Sequence, residues 1–258
     1  MTVRPLRISV LALGTVIVTM TPVFSAAHPA VPTCFGEPAT IVDRSEDSSV
    51  RGTAGPDVMV VLGRTDAHGL GGDDLICGGG SIWGGADDDR ISKRDDRNGF
   101  LSFRVVFGGP GNDEIHRDEV LTDDPHFLLG SFGGPGNDLL FGGPNTDLLA
   151  GGPGTDRVDG RASGDVVSGG EGPDLLSGGF RNDTLKGGPG ADQMRGESGK
   201  DTLRGGDGND LIFGGDGDDA ARGERGNDRI LGQAGIDTVD GGPGADDCWG
   251  EEVTGCRR

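Results

Sequence analysis

Aspartate recurs at every ninth position over a long, uninterrupted stretch of the chain, thirteen times in all. The series is Asp138, Asp147, Asp156, Asp165, Asp174, Asp183, Asp192, Asp201, Asp210, Asp219, Asp228, Asp237 and Asp246. Four less regular matches precede it, at Asp57, Asp74, Asp89 and Asp113. A fixed period brings like charges into register when the chain coils. Such a column is unstable unless cations sit between its members. Carboxylates and turn carbonyls are hard oxygen ligands, of which Ca²⁺ takes roughly six to eight. Soft-metal ligands are absent from these turns. No pair of the carboxylates is read as a general acid and base, because all belong to the same periodic ladder. No catalytic residue is assigned.

The unit that positions each aspartate is nine residues long. The first copy is Gly133-Gly134-Pro135-Gly136-Asn137-Asp138-Leu139-Leu140-Phe141, and the last ends at Trp249. Position 1 is Gly in every copy. Position 8 is Leu, Ile, Val or Met in all but two, which carry Ala221 and Cys248. Six residues rich in glycine predict a tight turn, since glycine alone takes positive φ without steric cost. Three residues with an apolar centre predict a very short strand that pairs in parallel one coil later, about 4.8 Å away. Two turns and two strands, 18 residues, complete a coil, and position 8 points inward to make a thin core. Two ladder charges at coil spacing repel by roughly 1 kcal/mol even in bulk water.

Composition agrees with a fold of little hydrophobic bulk. Glycine and proline supply 67 of 258 residues, and apolar content is only 33%. Average chains have about 12% glycine plus proline. A thick core of large side chains is therefore not expected, and either disorder or a repeat fold must follow. The formal charge of −20 argues against nucleic acid, whose binders need a basic face. It favours cations as partners.

The repeat resembles the hemolysin-type calcium-binding repeats of the RTX family, with consensus G-G-x-G-x-D-x-U-x. The likeness is firm over Gly133–Trp249. Upstream, Gly108 to Asp113 matches in full. Gly84 to Asp89, Gly69 to Asp74 and Gly52 to Asp57 match in part. The resemblance implies an all-β chain folded as a parallel β-roll, a right-handed β-solenoid, with Ca²⁺ held between turns by the seventeen aspartates named above. Two inserts, Lys93–Phe107 and Arg117–Phe132, are expected to loop out of the coil or to cover its flank. No aromatic stripe recurs along the repeats to mark a sugar-binding face.

Consecutive turns fall on opposite edges of such a roll. Six of the seven turns on the first edge (Asp138, Asp156, Asp174, Asp192, Asp210, Asp228 and Asp246) match G-G-x-G-x-D fully, Glu224 being the departure. On the second edge only Gly214 to Asp219 does. The others carry Asn145, Arg161 with Ser163, Arg181, Glu197 or Gln233 in place of Gly. The expectation is an asymmetric roll. A regular Ca²⁺ column occupies the first edge; fewer ions bind on the second, where Arg161, Arg181 and Lys200 supply some cationic charge. The alternative is drift of the turns with every site kept.

The N-terminus reads as a secretory signal. Arg4 and Arg7 precede an uncharged, mostly apolar run from Ile8 to Phe24, and Ser25-Ala26-Ala27 offers small residues before a cut at His28. An uncleaved anchor is the competing reading. Cleavage leaves a mature charge of −22, because it removes two arginines and no acid from the formal −20. Four cysteines in an exported chain read as disulfides, with three possible pairings. Cys34–Cys77 with Cys248–Cys256 is expected, stapling each end separately; a zinc site is the competing reading. The organisation that follows is a signal over 1–27, an N-terminal cap with degenerate repeats and inserts over 28–132, the regular roll over 133–249, and a cap over 250–258.

An enzyme lacks support, since neither HExxH nor G-x-S-x-G occurs. His28, His68, His116 and His126 are expected to be solvent-facing loop residues. A pore-former needs long apolar or amphipathic segments, and none occurs beyond the signal. The reading reached is a secreted, extracellular Ca²⁺-binding roll that folds on ion binding and does not insert in membranes. The alternative is a structural or adhesive protein with a cell-surface or matrix partner, in which Ca²⁺ only rigidifies the roll.

Overall fold

The computed structural model describes residues 32–43, 49–61, 65–93, 105–117 and 129–256. The signal segment, His28, His126 and the middle of each insert lie outside the described residues. The rest is an all-β parallel solenoid. Two sheets of twelve strands each run side by side, and successive strands alternate between them. Within these two sheets each strand pairs in parallel with the strand two places on, as Leu140 does with Val158 and Leu149 with Val167. One coil is therefore 18 residues in the regular part, as the period requires. No helix occurs among the described residues, and none is long and apolar enough to cross a membrane.

Strands in the regular part are longer than the three residues expected from the repeat. Arg157–Ala162 and Leu175–Phe180, for example, have six. Because each coil repeats without slippage, the turn backbone is in register too. The ladder therefore runs on through the second and third turn positions, as where Arg161 pairs with Gly179.

Position 8 points inward throughout. Leu140, Leu149, Leu176, Leu185, Met194, Leu203 and Ile212 are fully buried in one continuous row. Full burial of such a side chain stabilises by roughly 1.5–3 kcal/mol. Each coil supplies only two of them, so the main-chain ladder and the turns must carry much of the fold.

Upstream, the coils vary in length but the register does not. Ile91 pairs with Ile76, Ile115 with Ile91, and Leu140 with Ile115, across intervals of 15, 24 and 25 residues. The inserts are consequently shorter than the sequence suggested. Their ends form strands of the roll: Arg90–Lys93, Val105–Phe107, Glu114–Arg117 and Leu129–Phe132. His68 and His116 likewise lie half-buried in strands rather than in loops. The sheet face also carries an aromatic row that the repeat pattern hid. His68 stacks on Trp83, Trp83 on Phe107 and Phe107 on Phe132, with centroids 4.5, 6.0 and 5.1 Å apart.

Both ends are closed by disulfides. Cys34–Cys77 ties a small antiparallel pair, Thr33–Cys34 with Glu37–Pro38, to the strand Leu75–Gly78. Cys248–Cys256 ties the last strand of one sheet, Asp247–Trp249, to the residues just after the last strand of the other, Glu252–Thr254. All four cysteines are thereby used, which removes the zinc reading.

Candidate metal centres

The aspartates end the turns, one per turn, immediately before each strand. Their side chains fold back into the turn and are almost wholly buried. On the first edge, Oδ1 of each accepts the main-chain N–H of the aspartate one coil earlier. The chain of contacts runs unbroken from Asp57 through Asp74, Asp89, Asp113, Asp138, Asp156, Asp174, Asp192, Asp210 and Asp228 to Asp246, at 2.8–2.9 Å. The four irregular upstream aspartates thus stand in the same column as the regular ones. The second edge repeats the pattern from Asp147 through Asp165, Asp183, Asp201 and Asp219 to Asp237, at 2.7–3.0 Å. Glu251 closes it, its Oε2 accepting the N–H of Asp237 at 2.9 Å.

The other oxygen of each carboxylate is the informative one. Oδ2 is buried and receives no hydrogen bond in Asp74, Asp89, Asp113, Asp138, Asp156, Asp174, Asp192, Asp210, Asp228 and Asp246 on the first edge. The same holds for Asp165, Asp183, Asp201, Asp219 and Asp237 on the second. Leaving one charged oxygen so placed is costly, and the cost recurs fifteen times. Each Oδ2 lies against the first glycine of its own turn and near a carbonyl of the next coil. A Cβ built on Gly187 would collide with Asp192 Oδ2 and come within 2.5 Å of the Gly205 carbonyl oxygen. That close approach explains why position 1 admits no side chain in the regular repeat.

In thirteen of these aspartates burial raises the pKa, in most of them neighbouring carboxylates raise it further, and the main-chain N–H on Oδ1 opposes both. Asp165 is pushed up to about 9 and Asp89 to about 8. Asp113, Asp138, Asp174, Asp183 and Asp210 stand at about 7, and Asp74 and Asp219 at about 6. Asp156, Asp192, Asp201 and Asp228 shift in the same direction. Near neutral pH such a row calls for a proton or a cation at each step. Among the described residues no three His, Cys, Asp or Glu side chains converge. The donor set for a cation is therefore one or two carboxylates with turn carbonyls, all hard oxygens, which fits Ca²⁺ and not a soft metal.

The two columns begin differently from how they continue. Asp57 Oδ2 accepts the N–H of Thr53 at 2.6 Å and its hydroxyl at 3.0 Å. Asp147 Oδ2 accepts the N–H of Gly143 at 2.7 Å. Departures from glycine also leave a mark. Arg161, Ser163, Arg181, Glu197 and Gln233 on the second edge, and Glu224 on the first, all have φ between 72° and 81°. Each non-glycine residue held there costs roughly 1–2 kcal/mol. Of the basic residues expected to supply charge, Arg161 places its guanidinium over the Phe141 ring and donates to the Gly142 carbonyl at 3.2 Å.

Residues 132–252 match the family model of the RTX calcium-binding nonapeptide repeat in four copies, at 132–167, 168–203, 195–230 and 222–252. No curated protein matches the chain.

Proposed function

We propose that this chain, whose residues 132–252 are RTX calcium-binding nonapeptide repeats, is an exported Ca²⁺-binding roll that completes its folding on binding the ion. The observation that carries the reading is the set of fifteen buried Oδ2 atoms without a donor, aligned in two columns beside turn carbonyls. The ladder aspartates whose Oδ2 has no donor would hold the ion, together with turn carbonyls; Asp57 and Asp147, whose Oδ2 atoms already accept hydrogen bonds, stand apart. No catalytic role is proposed.

Before export, with little free Ca²⁺, the ladder charges repel and the chain stays loose. Extracellular Ca²⁺ modules bind the ion with Kd of about 10⁻⁴–10⁻³ M. Because the sites do not exist in the open chain, binding free energy becomes folding free energy. The disulfides support an oxidising compartment, and the apolar run after Arg7 supports a cleaved signal and secretion.

The test is far-UV circular dichroism with scattering size on the oxidised chain from His28 onward, titrated with Ca²⁺ against Mg²⁺. A cooperative gain of β signal with compaction in Ca²⁺ alone is expected. A roll already complete in chelator would leave Ca²⁺ only a rigidifying part. That outcome would favour a structural or adhesive surface protein.

A further inference from the structure

Arg117 stands where every copy of the regular roll has glycine, and its register partner one coil earlier is Lys93. It ends the strand Glu114–Arg117 and occupies the register position that Gly142 takes one coil later. A side chain fits there because its own turn ends differently. The residue in register with Asp147 on that coil is Leu129, so the coil brings no carboxylate to the ladder. The whole Arg117 side chain is buried, with 0% of its surface exposed. Its Nε donates to the Ser131 hydroxyl at 2.6 Å, and an NH2 hydrogen goes to the Gly130 carbonyl at 2.5 Å. Nε also lies 3.8 Å from Oδ1 of Asp147, itself 1% exposed. Ser131 is a hydroxyl at an inward position where the neighbouring coils carry Val106 and Leu149. The one polar residue in that row is thus the one that receives the guanidinium.

We infer that Arg117 is the resident cation of the second edge, fixed by the sequence at the head of its ladder where every later step takes Ca²⁺. The inference rests on the calcium reading for those later steps, but the contact itself does not. A guanidinium bonded to the Gly130 strand carbonyl and facing the Asp147 carboxylate of the next coil does what an ion there would do: it ties one coil to the next and balances the charge. Asp147 is thereby withdrawn from ion binding, its Oδ2 satisfied by Gly143 N–H and its Oδ1 facing Arg117. The second edge of the coil from Gly130 to Leu149 is accordingly held together without Ca²⁺, while Asp138 keeps its place in the first-edge column. It provides a formed edge on which the next coil, ending at Asp165, assembles as ions arrive.

Two readouts on the full chain test this. By native mass spectrometry in saturating Ca²⁺, Asp165→Asn should lose one ion and Asp147→Asn none. Loss of an ion from Asp147→Asn would overturn the inference. By hydrogen exchange in chelator, amides of Gly130–Leu149 should be protected in the wild type. Arg117→Gln should speed their exchange at least tenfold, and Arg117→Lys, which keeps the charge, by less. Unchanged exchange in Arg117→Gln would equally overturn it. Should the wild type bind no Ca²⁺, the calcium reading fails by itself, and exchange in chelator still decides the role of Arg117.

Discussion

Oδ1 of Asp192 accepts the main-chain N–H of Asp174 at 2.9 Å, across one full coil. This contact fixes the carboxylate in the turn and aims Oδ2 into a buried space with no donor. One oxygen therefore serves the fold and the other is left for a cation. The same division runs along both edges beyond their first aspartates, Asp57 and Asp147, so on the proposed function the carboxylates that stitch the coils are also those that would hold the ion.

Replacing Asp192 by Asn separates the two roles. The amide oxygen can still accept from Asp174 N–H, and its NH₂ group can donate toward the Gly205 carbonyl. In chelator the variant should be more stable than the wild type by about 1 kcal/mol, because a desolvated charge becomes a paired amide. In Ca²⁺ it should be less stable, with its calcium midpoint raised several-fold. Asp246→Asn, at the end of the column, should raise the midpoint less. Thermal unfolding with and without Ca²⁺ reads both signs, and equal midpoints for the two variants would count against stacked sites.

Acid should partly replace the ion. Ladder aspartates such as Asp165, Asp174 and Asp210 have folded pKa values raised above the ordinary 3.8 by burial, to about 9 at Asp165 and about 7 at the other two. The native state then binds protons more tightly than the unfolded one. Metal-free stability is thus greatest below about pH 4 as far as these groups decide it, and falls as pH rises through about 6 to 9. In chelator, the β signal should strengthen as pH is lowered from 9 to 5. Ca²⁺ added at pH 7 in weak buffer should release protons, which a pH electrode records.

Backbone strain on the second edge is removable. Gln233 has φ of 81° and Glu197 of 76° at positions where other turns place glycine. Changing either to Gly should stabilise the calcium-loaded roll by about 1 kcal/mol, the relief of strain exceeding the added chain entropy. Gly206→Ala should do the reverse, since φ there is 121° and a Cβ would collide with the Gly188 carbonyl. Denaturant midpoints of the three variants check the order.

The sequence made the regular part legible because its period is unbroken: the 18-residue coil, the inward row from Leu140 to Val239 and both ladders follow from it. The pairing of Cys34 with Cys77 and of Cys248 with Cys256 follows from their places at the two ends. The upstream coils were harder to read, since intervals of 15, 24 and 25 residues hide a register that only strand pairing reveals. Phe107 and Phe132 therefore fall at the ends of the expected inserts, and nothing in the period joins them to Trp83 in a row. Arg117 was masked for the same reason. A glycine position filled by arginine has no signal in the repeat, and its meaning lies in Ser131 and Asp147, which the coil brings to it. Glu251 closes the second ladder from outside the nine-residue period, at an interval of 14 from Asp237.

Anomalous diffraction from crystals grown in Ca²⁺ tests the central claim most directly. The account predicts an ion beside Oδ2 of the ladder aspartates on both edges, as between Asp174 and Asp192 and between Asp183 and Asp201, and none at Asp147 beside Arg117. Ladder carboxylates that hold water or a main-chain donor at Oδ2, with no ion between the coils, would contradict it.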